Sequence, residues 1–337
     1  MIYLDHAATT PILPAALATF TAISRVPANP NSAHAVGEAA HESLENSKVR
    51  IARCINANPD EIHFTPSATT ACQWAMETLS QNCAVIQVSA VEHHAVLDFN
   101  ARINESLTRV GIAKMLANNE TGEMFTPKRG KKTDLLFTDA TAAMGHIPID
   151  VKKLDVDYLA AGAHKFGGPC GVGFLYAKRG APLAEQNYGT PPVALIASMA
   201  AALEWQCENM DENRKILLRN FNIMEEKLRN IYYTIYNTPV FNLERPVLPH
   251  ILNVSFDGVD GKALALLCGK RGVMISAGAA CTSGNNEPSH VIMAMFHNEA
   301  IARSAVRISF GPENTADEVE QTAKIIAECA KELREIG

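Results

Sequence analysis

Six short runs of β-branched and small apolar residues, separated by stretches of helical periodicity, constrain this chain more than any other feature. They are Glu61–Thr65, Ala84–Ser89, Gly111–Ala117, Leu135–Thr138, Tyr158–Ala161 and Val172–Ala177. Strands that alternate with helices pack as a mainly parallel sheet covered by those helices, so an α/β domain is expected. After about Thr238 the pattern changes. A strand at Ile251–Phe256, a helix at Gly261–Lys270, a strand at Ala305–Phe310 and a last helix read as a smaller α+β domain. Pro239 and Pro246 punctuate the break. The expected division is a large domain at 12–238 and a small domain made of 1–11 and 239–337.

Two helices are legible from their apolar faces. Leu217, Phe221, Met224, Leu228 and Ile231 recur at helical spacing, as do Val319, Ala323, Ile326, Ala330 and Leu333. Thr315 with Glu318 three residues on is a capping-box signature before the second. Pro192 to Leu203 reads as a buried helix.

An open parallel sheet binds ligands outside the carboxyl ends of its strands. Five of the six runs deliver polar groups there. Thr65 leads into Pro66-Ser67-Ala68-Thr69-Thr70, a small-residue turn opening a helix; Ser89 is followed by Glu92-His93-His94; Ala117 by Asn118-Asn119-Glu120; Thr138 by Asp139; Ala161 by Gly162-Ala163-His164-Lys165. A helix N-terminus offers backbone N–H groups to a phosphate. An amine can condense with an aldehyde, and a carboxylate can keep a pyridinium nitrogen protonated. Each piece alone has an ordinary reading: a loop lysine, a turn aspartate, a satisfied histidine. As an ordered set they point to a pyridoxal-phosphate enzyme in which Lys165 carries the cofactor as a Schiff base.

The formal net charge of −6 argues against nucleic acid or an anionic membrane as a default partner. The short basic stretch Lys128–Lys132 reads as a solvated loop. No uncharged apolar run reaches the ~18 residues of a membrane helix, and the first residues lack the pattern of a secretory signal. The eight cysteines show no paired spacing, so neither a disulfide framework nor a metal motif is expected. A cytoplasmic enzyme with reduced, mostly buried thiols is the expectation.

The sequence resembles the cysteine desulfurases of the class V aminotransferase family, which have the type I fold of pyridoxal-phosphate-dependent transferases. The resemblance rests on Tyr3 through Pro11, Asn29-Pro30 through His34, Glu92-His93 with Ala95-Val96-Leu97-Asp98, and Asn118-Asn119-Glu120. It continues through Asp139-Ala140-Thr141, His164-Lys165, Ala280-Cys281-Thr282-Ser283 and Glu287-Pro288-Ser289. It implies that Lys165 holds the cofactor and moves protons at the substrate α-carbon. Asp139 would pair with the ring nitrogen, His93 stack on the ring, and Asn119 lie near the cofactor hydroxyl and the substrate. Ala68, Thr69 and His164 match phosphate-contacting positions. Thr190 matches a phosphate ligand that crosses from the neighbouring subunit in the family's homodimers.

The same resemblance makes Arg307 the group that grips the substrate carboxylate. The residues agree: in Ala305–Phe310, Val306, Ile308 and Phe310 alternate with Ala305, Arg307 and Ser309, which turns the guanidinium from the apolar side. A lone strand arginine is otherwise commonly a surface ion pair. Cys281 lies among small, loop-forming residues, unlike Cys268 and Cys329, which fall in helical patterns. It is the expected nucleophile. L-cysteine would give L-alanine, with a persulfide on Cys281 that passes to an acceptor protein or thiol, as for iron–sulfur clusters.

The sequence departs from the family at several places. Ala142 stands where the family usually has Gln, and Gly162 where it usually has Ser. Two serines before Cys281 are alanines, the segment before Thr190 is shortened, and no extended tail follows the last helix. The alternatives these leave are a selenocysteine lyase or cysteine C–S lyase of the same family, or a non-catalytic binding homologue.

Overall fold

The computed structural model describes the chain apart from residues 28, 100–105, 187–188, 232–235, 240–245, 279–286 and 337. The elements begin β1 (Ile2–Tyr3), α1 (Pro14–Ser24), α2 (Ala35–Ile55), β2 (Ile62–Thr65), α3 (Ala68–Asn82), β3 (Val85–Val88) and α4 (His94–Leu97). Then come β4 (Val110–Ala113), β5 (Leu135–Asp139), α5 (Val151–Leu154), β6 (Tyr158–Gly162), β7 (Gly173–Ala177) and α6 (Val193–Ile231). The remainder holds β8 (Tyr236–Pro239), β9 (Ile251–Phe256), α7 (Gly261–Lys270), β10 (Val273–Met274), α8 (His290–Phe296), α9 (Glu299–Ser304), β11 (Ala305–Ser309) and α10 (Ala316–Ile336).

The chain forms two compact units. The larger holds Pro11–Leu116 and Phe125–Met210; the other holds Met1–Thr10, Ala117–Met124 and Asp211–Gly337. The break near Thr238 expected from the prolines is therefore displaced to Asp211, inside α6. That helix has no Gly or Pro along its 39 residues, so no local signal marks the point where it changes unit.

The larger unit is built on a six-stranded sheet in the order β2-β7-β6-β5-β4-β3. Strands β3 to β6 are mutually parallel, while β7 runs antiparallel to both β6 and β2. It follows that β2 points the same way as β3 to β6, and five carboxyl ends share one edge. Every residue of β5, β6 and β7 is buried, as central strands covered on both faces should be. Ala71, Cys72, Trp74, Ala75 and Leu79 of α3 pack on Phe137, Tyr158 and Leu175. Each large side chain buried there contributes about 1.5–3 kcal/mol. Arg129, expected in a solvated loop, is instead packed. It donates to Asp157 Oδ2 at 2.8 Å and to the Asp134 carbonyl at 2.6 Å.

The second unit contains the three-stranded antiparallel sheet β11-β9-β8 and the parallel pair β1-β10. Its core joins Leu217, Phe221, Met224 and Leu228 of α6 to Val254, Phe256, Val306 and Ile308, and to Val319, Ala323 and Ile326 of α10. These are the two apolar stripes read from the sequence. The cap before α10 is reciprocal: Thr315 N donates to Glu318 Oε2 at 3.0 Å, and Glu318 N donates to Thr315 Oγ1 at 3.2 Å. No described helix is long and apolar enough to cross a membrane.

Candidate active site

In the larger unit, β5 ends on Asp139, 6% exposed, whose Oδ1 accepts from Thr141 N at 2.8 Å. The Cys72 thiol on α3 also donates to this carboxylate. Burial first, and the Asp139 charge second, hold that thiol protonated. One strand over, β6 runs into the 3₁₀ turn Ala163–Lys165. His146 Nε2 lies 3.1 Å from the Lys165 carbonyl, which pins the backbone of that turn. His164 is half-buried, and burial, reinforced by the neighbouring Lys165 charge, lowers its pKa to about 4. It is therefore a neutral imidazole at pH 7.

The N-terminus of α3 lies against the same turn because two glycines leave room for it. A Cβ on Gly162 would come to 3.0 Å from Ala68 Cβ; one on Gly173 would come to 2.9 Å from the Ser67 carbonyl carbon and 3.0 Å from Ala68 N. Ser67 caps the helix by accepting from Thr70 N at 3.1 Å. Ala68 and Thr69 thus occupy the first two helical positions, where backbone N–H groups face outward along the axis.

His93 is the N-cap of α4, its Nδ1 accepting from Ala95 N at 3.0 Å. With Thr69, Gln73, Trp74 and Glu185 it lines a cavity of about 720 Å³. The adjacent Glu92 is fully buried and its Oε1 accepts from Met115 N at 2.7 Å. Burial, with a contribution from Asp139, pushes the Glu92 carboxyl up to about 8. Thr190 is exposed and borders a different cavity of about 550 Å³, with Lys48, His63 and Pro191.

The remaining predicted residues belong to the second unit. Asn119 was expected at the end of a strand reaching Ala117, but β4 stops at Ala113. Residues 117–124 fold back as a hairpin closed by the Ala117–Met124 bridge. Arg307 is 1% exposed, not a surface group on an edge strand, because Ser276 pairs along β11 outside it. Its Nη1 donates to the Asn119 carbonyl at 2.8 Å and its Nη2 to Asp5 Oδ1 at 2.7 Å. The Arg307 Nε is buried without a hydrogen-bond partner among the described residues. Ser289 Oγ donates to Glu120 Oε2 at 2.6 Å, which ties the segment after Cys281 to the same hairpin. Cys281 itself lies outside the described residues.

Asp5, Cys72 and Glu92 have contacts that reading along the chain did not foresee. Asp5 and Glu92 stand inside the quoted motifs, but nothing in their spacing links them to Arg307 or Asp139.

A parallel sheet edge that offers an aspartate, a lysine turn and a helix N-terminus defines the type I fold of pyridoxal-phosphate-dependent transferases. A model of the aminotransferase class V family matches residues 2–124, 101–186 and 182–322, and the chain belongs to that family. Within it the chain is NifS/IscS-like, of the cysteine desulfurase kind. A cysteine desulfurase IscS of Methanosarcina thermophila is 29% identical, across all of this chain and 93% of its own. Another, of Dictyoglomus turgidum, is 32% identical across all of this chain and 96% of its own. The solved structure of a NifS-like protein superposes with a TM-score of 0.86 at 28% identity, covering 98% of this chain and all of that one.

Proposed function

We propose that this chain is a cysteine desulfurase that uses pyridoxal 5′-phosphate to convert L-cysteine to L-alanine, leaving the sulfur on Cys281. The observation that carries this reading is the shared sheet edge at which Asp139 ends β5, the Lys165 turn follows β6, and the N-terminus of α3 abuts that turn.

The residues fit the cofactor. Thr141 Oγ1, two residues beyond Asp139, is buried without a hydrogen-bond partner among the described residues. Gly162 and Gly173 keep clear a cradle beside Ala68 N that a Cβ would crowd. Ala68, Thr69 and the neutral His164 would hold the phosphate, Asp139 the ring nitrogen and His93 the ring face. Lys165 would be the covalent anchor. Bound there, the cofactor supplies an electron sink for charge that develops at the substrate α-carbon.

The chain's own residues do the rest. Arg307 binds the substrate carboxylate through its planar donor fork. Lys165 removes the α-proton and later returns one to the carbon framework. Cys281, as thiolate, attacks the substrate sulfur. The C–S bond breaks with its electron pair going to the carbon side, so the enzyme thiol is oxidised to a persulfide and cysteine is reduced to alanine. The persulfide then passes to an acceptor protein or thiol, in the cytoplasm, in a role such as iron–sulfur cluster assembly. In a homodimer, Thr190 would complete the phosphate site of the neighbouring subunit.

The test is sulfide and alanine release from L-cysteine by protein loaded with pyridoxal phosphate, in the presence of a reductant. Equal release of both, lost in Cys281→Ala and in Lys165→Ala, is the expected result. Cofactor-bearing protein that makes no alanine overturns the reading.

A further inference from the structure

Two thiols that the proposed reaction does not use meet between helices of the larger unit. Cys54 sits in the last turn of α2 and Cys207 lies within α6, and both are half-buried. Their thiols lie in contact, each being the group that acts most strongly on the other. One turn away the helices are joined again. Arg50 Nε and Nη2 donate to Glu204 Oε2 at 2.9 and 2.6 Å, and Arg53 donates to the other oxygen of the same carboxylate. Arg50 meets Glu204, and four and three residues further on Cys54 meets Cys207, so the helices run side by side through this patch.

We propose that Cys54 and Cys207 form a reversible disulfide site, closed by exchange with a low-molecular-weight disulfide. The two contacts that flank each other along α2 and α6 keep the sulfurs opposed. Closing the bond requires them to approach to ~2.05 Å. Half-exposure admits a small disulfide, which the fully buried Cys268 and Cys329 exclude.

Either thiol, as thiolate, takes one sulfur of the small disulfide, whose S–S bond breaks and releases one thiol. The other then gives up its proton to solvent, attacks the first protein sulfur and displaces the second thiol. Two protein thiols are oxidised and one small disulfide is reduced to two thiols. The link lies next to Gln206, which is 6% exposed and donates to the Phe166 carbonyl at 3.2 Å, one residue beyond Lys165.

The test uses the full-length protein loaded with pyridoxal phosphate, equilibrated with oxidised and reduced glutathione at a series of ratios. Free thiols are then trapped with N-ethylmaleimide and the peptides mapped by mass. A Cys54–Cys207 cross-link is expected to accumulate as the ratio becomes oxidising and to disappear on return to reduced glutathione, while Cys268 and Cys329 stay unlinked. Cys54→Ser and Cys207→Ser are each expected to abolish the cross-link, leaving the remaining cysteine free or as a single glutathione adduct. Wild-type protein in which both cysteines remain maleimide-labelled at the most oxidising ratio overturns the proposal, as do separate glutathione adducts on the two. Because the readout is peptide mass, the outcome is independent of whether the chain desulfurates cysteine.

Discussion

Arg307 Nη2 lies 2.7 Å from Asp5 Oδ1, a contact across 302 positions of sequence. Arg307 is 1% exposed and Asp5 is 21% exposed, so the arginine's charge is balanced largely from one side. The Asn119 carbonyl takes a second donor from the guanidinium at 2.8 Å. Between them, these acceptors set the plane of the fork that is proposed to receive a carboxylate.

Asp5→Asn keeps the shape but removes the counter-charge. Breaking a buried pair from one side costs on the order of 3 kcal/mol, which urea unfolding should show. If Asp5 also positions Arg307, KM for L-cysteine should rise about tenfold, equivalent to about 1.4 kcal/mol, with little change in kcat. Asp5→Glu should recover part of that KM. Lower stability with an unchanged KM would limit Asp5 to a structural role.

Glu92 makes stability depend on pH. Its folded pKa of about 8 lies above the ordinary carboxyl value, so between those limits the folded state holds a proton that the unfolded chain has released. The contribution is fully present below the ordinary value and is lost as pH rises through about 8. Glu92→Gln cannot ionise. The difference in unfolding free energy between variant and wild type should shift in the variant's favour by a few kcal/mol as pH rises across that window, and then level off. A constant difference from pH 4 to 9 would place the carboxyl outside this regime.

His164 behaves in the opposite sense. Its folded pKa of about 4 lies below the ordinary imidazole value, so its contribution is present above that value and is lost as pH falls through about 4. NMR titration of the ring should show no protonation near pH 6. Replacing Lys165 with Met removes the second cause but leaves burial, the first. The His164 pKa should therefore rise in that variant and still remain below the ordinary value. A full return to it would make charge rather than burial the dominant cause.

Gly173 tests the cradle. A Cβ there would stand 2.6 Å from the Ala161 carbonyl oxygen as well as against Ser67 and Ala68, and all three are backbone. Gly173→Ala should cost about 1–3 kcal/mol, as overpacking usually does. It should also displace the N-terminus of α3, and pyridoxal phosphate should then dialyse away faster than from wild type. Loss of stability with unchanged cofactor retention would separate the cradle from the phosphate site.

The local features were the legible ones. Thr315 and Glu318 cap α10 as their spacing indicates, and Cys268 and Cys329 are buried in helices. All six strand runs form strands of one sheet. Other features needed the fold. The run from Gly111 reads as continuous to Ala117 because only Lys114 interrupts its apolar residues, yet the backbone leaves the sheet after Ala113 to make the hairpin that carries Asn119. Cys54 and Cys207 have no spacing that announces a pair, since what joins them is the packing of α2 on α6.

By itself the sequence determined where the strands of the large sheet lie, the apolar stripes of α6 and α10, and which polar groups stand near the strand ends, because periodicity, caps and turns act over a few residues. Only the tertiary structure decided that β7 enters antiparallel between β2 and β6. It alone decided that Arg307 is buried against Asp5, and that glycines at 162 and 173 bring a helix N-terminus to the Lys165 turn. These depend on contacts between residues far apart in the chain. Packing, burial and excluded volume set such contacts, and no local pattern of residues encodes them.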